Sequence, residues 1–174
     1  MKGAIAIALK EMVIQHGGAE KWQQVLQASD ISKEPMLFPI SDVDDSLTLK
    51  IFENACRALG MSLPQGCEAF GEYWMTVYAP KHYPVYLKSA KNAREFLLKM
   101  DSVHETLTKT TPNAHPPRFK YSWRDERTLI MHYESARGLV DLVVGLVKGV
   151  GKAYGERLQV TKLGANQVQV TFLS

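Results

Sequence analysis

Two groups of side chains in this sequence have the types and spacing to do chemistry. The first is a histidine, His104, in the run Phe96-Leu97-Leu98-Lys99-Met100-Asp101-Ser102-Val103-His104-Glu105-Thr106-Leu107. Apolar residues at 96, 97, 100, 103 and 107 have the spacing of an amphipathic helix. His104 stands on that stripe, seven residues after Leu97 and four after Met100. A titratable ring there admits two readings: a core histidine satisfied by ordinary hydrogen bonds, or a ligand to something held in the core. The second group is Tyr133-Glu134-Ser135-Ala136-Arg137. The i, i+2, i+4 spacing puts Tyr133, Ser135 and Arg137 on one side of an extended chain. Two hydroxyls and a guanidinium fork suit a carboxylate, with Arg bidentate and the hydroxyls filling the remaining lone pairs. The alternative is a core tyrosine, a serine cap and a surface arginine.

The elements that must position these groups follow from periodicity and punctuation. A helix over 93–109 carries His104. Upstream, residues 3–16 form a helix with Ile5, Leu9, Met12 and Val13 on one stripe, ended by Gly17-Gly18. A second helix over 19–28 turns Trp22, Val25 and Leu26 inward, and 29–40 is loop, marked by Pro35 and Pro39. The acidic Ser41-Asp42-Val43-Asp44-Asp45 caps a helix from about 46 to 59; it lacks the glycine and distal glutamate of a calcium loop. Gly60 stops that helix and Pro64 opens one over 65–77. Its aromatics, Phe70 to Tyr78, are either core or the lining of a flat apolar pocket. Pro80 and Pro84 bracket a loop, followed by a short helix near 85–89.

After Thr111 the character changes. Pro112 to Pro117 is a rigid turn, and 118–123 and 128–133 are strands joined at Asp125-Glu126-Arg127. A helix over 139–153 aligns Leu142, Leu146 and Val150, with Gly145 and Gly149 allowing close approach to one face. Strands 158–163 and 167–173 form a last hairpin across Gly164-Ala165-Asn166. The fold class expected is α+β: one domain over 1–174, with a helical N-terminal lobe to about 60 and a C-terminal lobe carrying an antiparallel sheet of about four strands plus helices.

Composition narrows the function. Apolar residues at 45% and charged residues at 22% suit a globular core. A net charge of +3 with scattered positives gives no basic stripe for nucleic acid. The N-terminal apolar run breaks at Lys10-Glu11, so it reads as a helix rather than a signal peptide. No run approaches the roughly 20 residues of a membrane span. Cys56 and Cys67 lack metal spacing and fit a reducing, cytoplasmic setting. There is no nucleophile–base pair, G-x-S-x-G or phosphate loop, and His115 and His132 have no Ser, Cys or carboxylate partner at telling spacing, so an enzyme is not expected.

A histidine in this helix with Y-x-S-x-R about thirty residues later resembles the H-NOX family, the haem nitric-oxide/oxygen binding domains that include the haem domain of soluble guanylate cyclase and stand-alone bacterial sensors. The likeness spans nearly the whole chain: the Met-x-Gly start, Gly18 to Trp22, Asp44-Asp45, Ala69 to Tyr73, Pro116-Pro117, and Gly138-Leu139 through Gly145-Leu146. The resemblance implies haem b between the lobes. It implies His104 as the proximal iron ligand; Tyr133, Ser135 and Arg137 on the propionates; Pro117 distorting the porphyrin; and Ile5 and Leu146 packed on it. On the gas side it implies Trp74, Tyr78 and Leu142. Oxygen-holding members have a distal tyrosine where this chain has Leu142, so the expected ligands are nitric oxide and CO, not O₂. The expected signal is release of His104 and lobe movement, passed to a separate histidine kinase or cyclic-di-GMP enzyme. An O₂-binding haem sensor and a non-haem binding or scaffolding module are the alternatives.

Overall fold

Helix α1 (Gly3–Ala28) bends where the sequence places a break: Gly18 has φ 80° and ψ 173°, a conformation open to glycine and costly for residues with a Cβ. The structure, a computed structural model, describes residues 1–173. The chain divides into two compact units, Met1–Gly66 and the remainder from Cys67. In the first unit α1 packs on α2 (Asp45–Ala58). The Asp44 side chain caps α2 by accepting from the Leu47 N–H at 3.0 Å. Asp42 pairs with Lys2, and Asp45 with the N-terminal ammonium. The acidic cluster is thus engaged in capping and ion pairs.

Helix α3 (Leu63–Tyr73) begins at a capping box: Ser62 N–H donates to Gln65 Oε1 at 2.8 Å, and Gln65 N–H to Ser62 Oγ at 3.4 Å. It continues as a π turn over Trp74–Tyr78 and then as α4 (Ala79–His82). The loop expected between Pro80 and Pro84 is instead helical on both sides of a break. Each proline sits in the first turn of its helix, α4 or α5 (Pro84–Lys88), where a missing N–H costs nothing. Tyr83, at φ −132°, is the break.

The His104 helix is α6 (Ala93–Thr110), capped by Asn92. Strands β1 (Arg118–Asp125), β2 (Thr128–Glu134), β3 (Leu158–Lys162) and β4 (Gln167–Phe172) make one antiparallel sheet in the order β1-β2-β4-β3. Helix α7 (Val140–Tyr154) connects β2 to β3. Phe119, Leu129, Met131, Tyr133, Val168 and Val170 alternate along three strands and form one buried cluster with Phe96 and Leu97 of α6 and Val143, Val147 and Val150 of α7. The α+β class is as expected.

Glycines Gly145 and Gly149 meet helix α3. A Cβ on Gly145 would lie 2.0 Å from the Cys67 carbonyl oxygen, and one on Gly149 would lie 2.3 Å from that of Gly71. Lys148–Glu68 and Lys152–Glu72 ion pairs flank this crossing. Two helices can touch backbone to backbone only where side chains are absent.

Candidate functional site

Helix α6 lies along β1 with three polar contacts in descending register. The Tyr121 hydroxyl donates to the Leu97 carbonyl at 2.8 Å. Asp101 takes Arg118 through two N–H groups, both at 2.7 Å, and the Phe119 N–H at 2.8 Å. His104 Nδ1 lies 2.8 Å from the Pro117 carbonyl oxygen. The hydrogen bonds from Arg118 and the backbone hold the Asp101 carboxyl down to about 2. Burial pushes the Tyr121 phenol up to about 12.

A carbonyl only accepts, so His104 Nδ1 carries the proton. Burial lowers the pKa of the ring, which favours neutral imidazole at neutral pH. In that tautomer Nε2 is an unprotonated lone pair, and it has no hydrogen-bond partner among the described residues. A carbonyl on one ring nitrogen that fixes a lone pair on the other is the arrangement metal-bound histidines use. Both readings of His104 therefore keep a foothold: it is hydrogen-bonded as a core histidine would be, but through one nitrogen only.

The ring of His104 tilts against buried Phe119 at 5.6 Å between centroids, and Phe119 against Tyr133 at 6.1 Å. The two groups singled out in the sequence thus converge. Tyr133 is buried at the end of β2, and its hydroxyl accepts from the Leu139 N–H at 3.2 Å. Ser135 Oγ accepts from the Arg137 N–H at 3.3 Å. In both, the oxygen is engaged as an acceptor and the hydroxyl proton remains to donate. Arg137 gives one guanidinium N–H to the carbonyl of His115, two residues before Pro117. One arginine therefore braces the same turn that supplies the carbonyl for His104.

Trp74 stacks on Tyr78 at 4.9 Å and on Tyr83 at 6.1 Å, and tilts on Phe70 at 5.9 Å; its indole N–H has no partner among the described residues. Residues Phe70, Trp74, Tyr78 and His82 are four apart. In an α-helix such residues advance about 40° beyond a full turn, and the wider π turn between Trp74 and Tyr78 works against that drift. The rings therefore stay near one line. Leu142 and Leu146 are half-buried one turn apart on α7, with Leu146 packed on the buried cluster. Pro117 is half-buried at the start of β1, and Ile5 is half-buried on α1 in the first unit.

Among the described residues, no group of three or more His, Cys, Asp or Glu could hold a metal ion. The donor set is one imidazole nitrogen, two hydroxyls and a guanidinium beside apolar side chains. It fits a metal that brings its own equatorial ligands in a macrocycle bearing carboxylates, which is the chemistry of haem. Sequence reasoning missed Asp101, Arg118 and Tyr121. It also found no partner for His132, whereas Ser122 Oγ lies 2.9 Å from His132 Nε2. That pair is two residues on neighbouring strands, at the surface and, among the described residues, without a carboxylate to orient the imidazole, so it forms a polar cross-strand contact.

The family model for Haem-NO-binding proteins matches residues 2–162. Soluble guanylate cyclase gcy-37 of Caenorhabditis elegans is 28% identical over 173 residues, covering 96% of this chain and 24% of the relative. Soluble guanylate cyclase gcy-32 of the same organism is 26% identical over 156 residues, covering 87% and 23%. The chain thus spans about a quarter of the length of these curated relatives. An oxygen-binding H-NOX domain related to soluble guanylate cyclases, solved as its oxygen complex, aligns with a TM-score of 0.84 at 23% identity, covering 100% of this chain and 96% of that one. An Fe(II) unliganded H-NOX protein variant from K. algicida aligns at 0.85 and 20% identity, covering 100% and 97%. At these identities the structural likeness shows the fold, and the family match over most of the sequence shows membership. The chain belongs to the Haem-NO-binding family, the H-NOX haem domains of the soluble guanylate cyclase type.

Proposed function

We propose that this chain senses nitric oxide through ferrous haem b, also takes CO, and does not hold O₂. The observation that carries the reading is the state of His104: Nδ1–H given to the Pro117 carbonyl and Nε2 left as a lone pair on a largely apolar helix face. Haem, when bound, would supply a ferrous iron able to take up a diatomic gas. The chain acts as one sensing domain over 1–174, with a helical N-terminal lobe and a haem-bearing C-terminal lobe, as a sensor rather than a catalyst.

His104 Nε2 would ligate the iron. Tyr133, Ser135 and Arg137 would donate to the propionates. Pro117, Ile5 and Leu146 would offer apolar contacts to the macrocycle. Trp74, Tyr78 and Leu142 line the gas side. Retaining O₂ calls for a hydrogen-bond donor beside it, whereas NO and CO need less help. Leu142, which stands where O₂-holding members have a tyrosine, brings no donor, and this supports the gas assignment; the Trp74 ring packs on three aromatic neighbours, and the Tyr78 hydroxyl is buried beside it.

His104 is also a breakable tether. Without a bond to iron, α6 would be held by its protein contacts, the Asp101–Arg118 pair and the Tyr121–Leu97 hydrogen bond among them. A helix with two seats is a bistable element whose balance a ligand shifts. Release of α6, relief of Pro117 and movement of the lobes would signal to a separate protein, a histidine kinase or a cyclic-di-GMP enzyme, in a bacterial cytoplasm.

Absorption spectroscopy tests both parts. Ferrous protein given NO should turn five-coordinate, and a six-coordinate spectrum that keeps His104 bound would overturn the release step. In air the ferrous protein should oxidise slowly without a stable oxy spectrum; a stable oxy spectrum would overturn the gas assignment.

A further inference from the structure

Where α6 begins, the β1–β2 turn and the last strand line an open cleft of about 420 Å³, bordered by Asn92, Arg94, Arg127, Glu156, Phe172 and Leu173. Its rim carries exposed apolar surface. Trp123 is 39% exposed and Leu173 45%. The Arg94 guanidinium lies 4.2 Å above the Trp123 ring, and Phe172 tilts against the same ring at 6.2 Å. A tryptophan and arginines around a pocket are the residue types that anchor protein interfaces.

The charges say what fits. Asn92 already caps the Glu95 N–H at 2.8 Å, and Glu156 takes the Ala93 N–H at 3.0 Å, so the start of α6 is satisfied from within. Asp125 is engaged by the Arg127 N–H at 2.9 Å. By contrast, the side chains of Arg127 and Arg157 make no interaction among the described residues. Arg127 lines the cleft, and the Arg157 carbonyl accepts from the Leu173 N–H at 3.0 Å. Exposed guanidiniums without a partner among the described residues suit a carboxylate. A continuous phosphate backbone would have to cross Asp125, Glu126 and Glu156.

We infer that the Arg94–Trp123–Phe172 cluster with Arg127 and Arg157 is a docking surface for an acidic, apolar-rich segment of a partner protein. A carboxylate meets Arg127, and large apolar side chains cover Trp123 and Leu173. The surface lies on the signalling element: Arg94 and His104 belong to the same helix, about 15 Å apart along its axis at the usual rise. Docking itself stands whichever gas the domain senses.

The test is selection of a displayed library of random short peptides on the purified protein, with affinities of the winners measured by titration calorimetry. The selected peptides should be rich in Asp and Glu beside Trp, Phe or Leu. They should bind about tenfold or more weakly to Trp123→Ala and to the exposed turn variant Arg127→Glu. Binding to Lys81→Glu, on the distant α4, should be unchanged. Selected peptides without acidic enrichment, or equal binding by Trp123→Ala and Arg127→Glu, would overturn the inference and leave the spectroscopic reading untouched.

Discussion

The imidazole Nδ1 of His104 sits 2.8 Å from the main-chain carbonyl oxygen of Pro117. This contact fixes the tautomer and aims Nε2, and proline is well suited to supply it. The ring of Pro117 limits the backbone to one φ, and the turn it belongs to is braced from the other side by Arg137 on the His115 carbonyl. The carbonyl is therefore held in place by two independent means.

Asp101 is the strongest polar link between α6 and β1. Its folded pKa lies below the ordinary 3.8, at about 2. The stability it contributes is thus fully present above about pH 4 and is lost as pH falls through the folded value. Water reaches this pair, so the contribution is on the order of 1 kcal/mol, less than the full shift would give. Urea unfolding of Asp101→Asn should show that loss at neutral pH and a flatter decline than wild type between pH 4 and 2.

If Arg137 holds a propionate, removing its fork costs a charge-assisted pair. Haem transfer from Arg137→Ala to apomyoglobin should run about tenfold faster than from wild type, the scale of one such hydrogen bond. Arg137→Lys should recover only part of this, because a point charge cannot brace the His115 carbonyl and grip a carboxylate as a fork does.

Gly145 leaves no room for a methyl group, since its Cβ would lie 2.0 Å from the Cys67 carbonyl oxygen. Gly145→Ala should push α7 off α3 and cost about 3 kcal/mol, at the top of the range for overpacking. Its thermal midpoint should fall by several degrees, whereas Gly164→Ala, in open space, should leave it within about a degree.

Much of this was legible in one sequence because it is local. The stripe through His104, the break at Gly18, the α2 cap at Asp44 and the glycines facing a close neighbour are all set by residues within a turn or two of each other. The π turn at Trp74–Tyr78 left no local signal, since the aromatics that define it read equally well as an α-helix. The Asp101–Arg118 and Leu97–Tyr121 contacts depend on which turn of α6 meets which residue of β1, a register set by packing. Ser122 and His132 were read as unrelated for the same reason: ten residues apart in sequence, they meet only once β1 and β2 pair. A carboxylate clamp was suggested by spacing, but the link from Arg137 to His115 and so to Pro117 needed the fold.

The central claim is that His104 ties the chain to haem iron through Nε2. The most direct measurement is the absorption spectrum of the haem-loaded protein beside His104→Ala, with and without free imidazole. The account predicts a Soret band in wild type, loss of haem in His104→Ala, and recovery of the band when imidazole takes the histidine's place. A Soret band of unchanged position and intensity in His104→Ala without imidazole would contradict it.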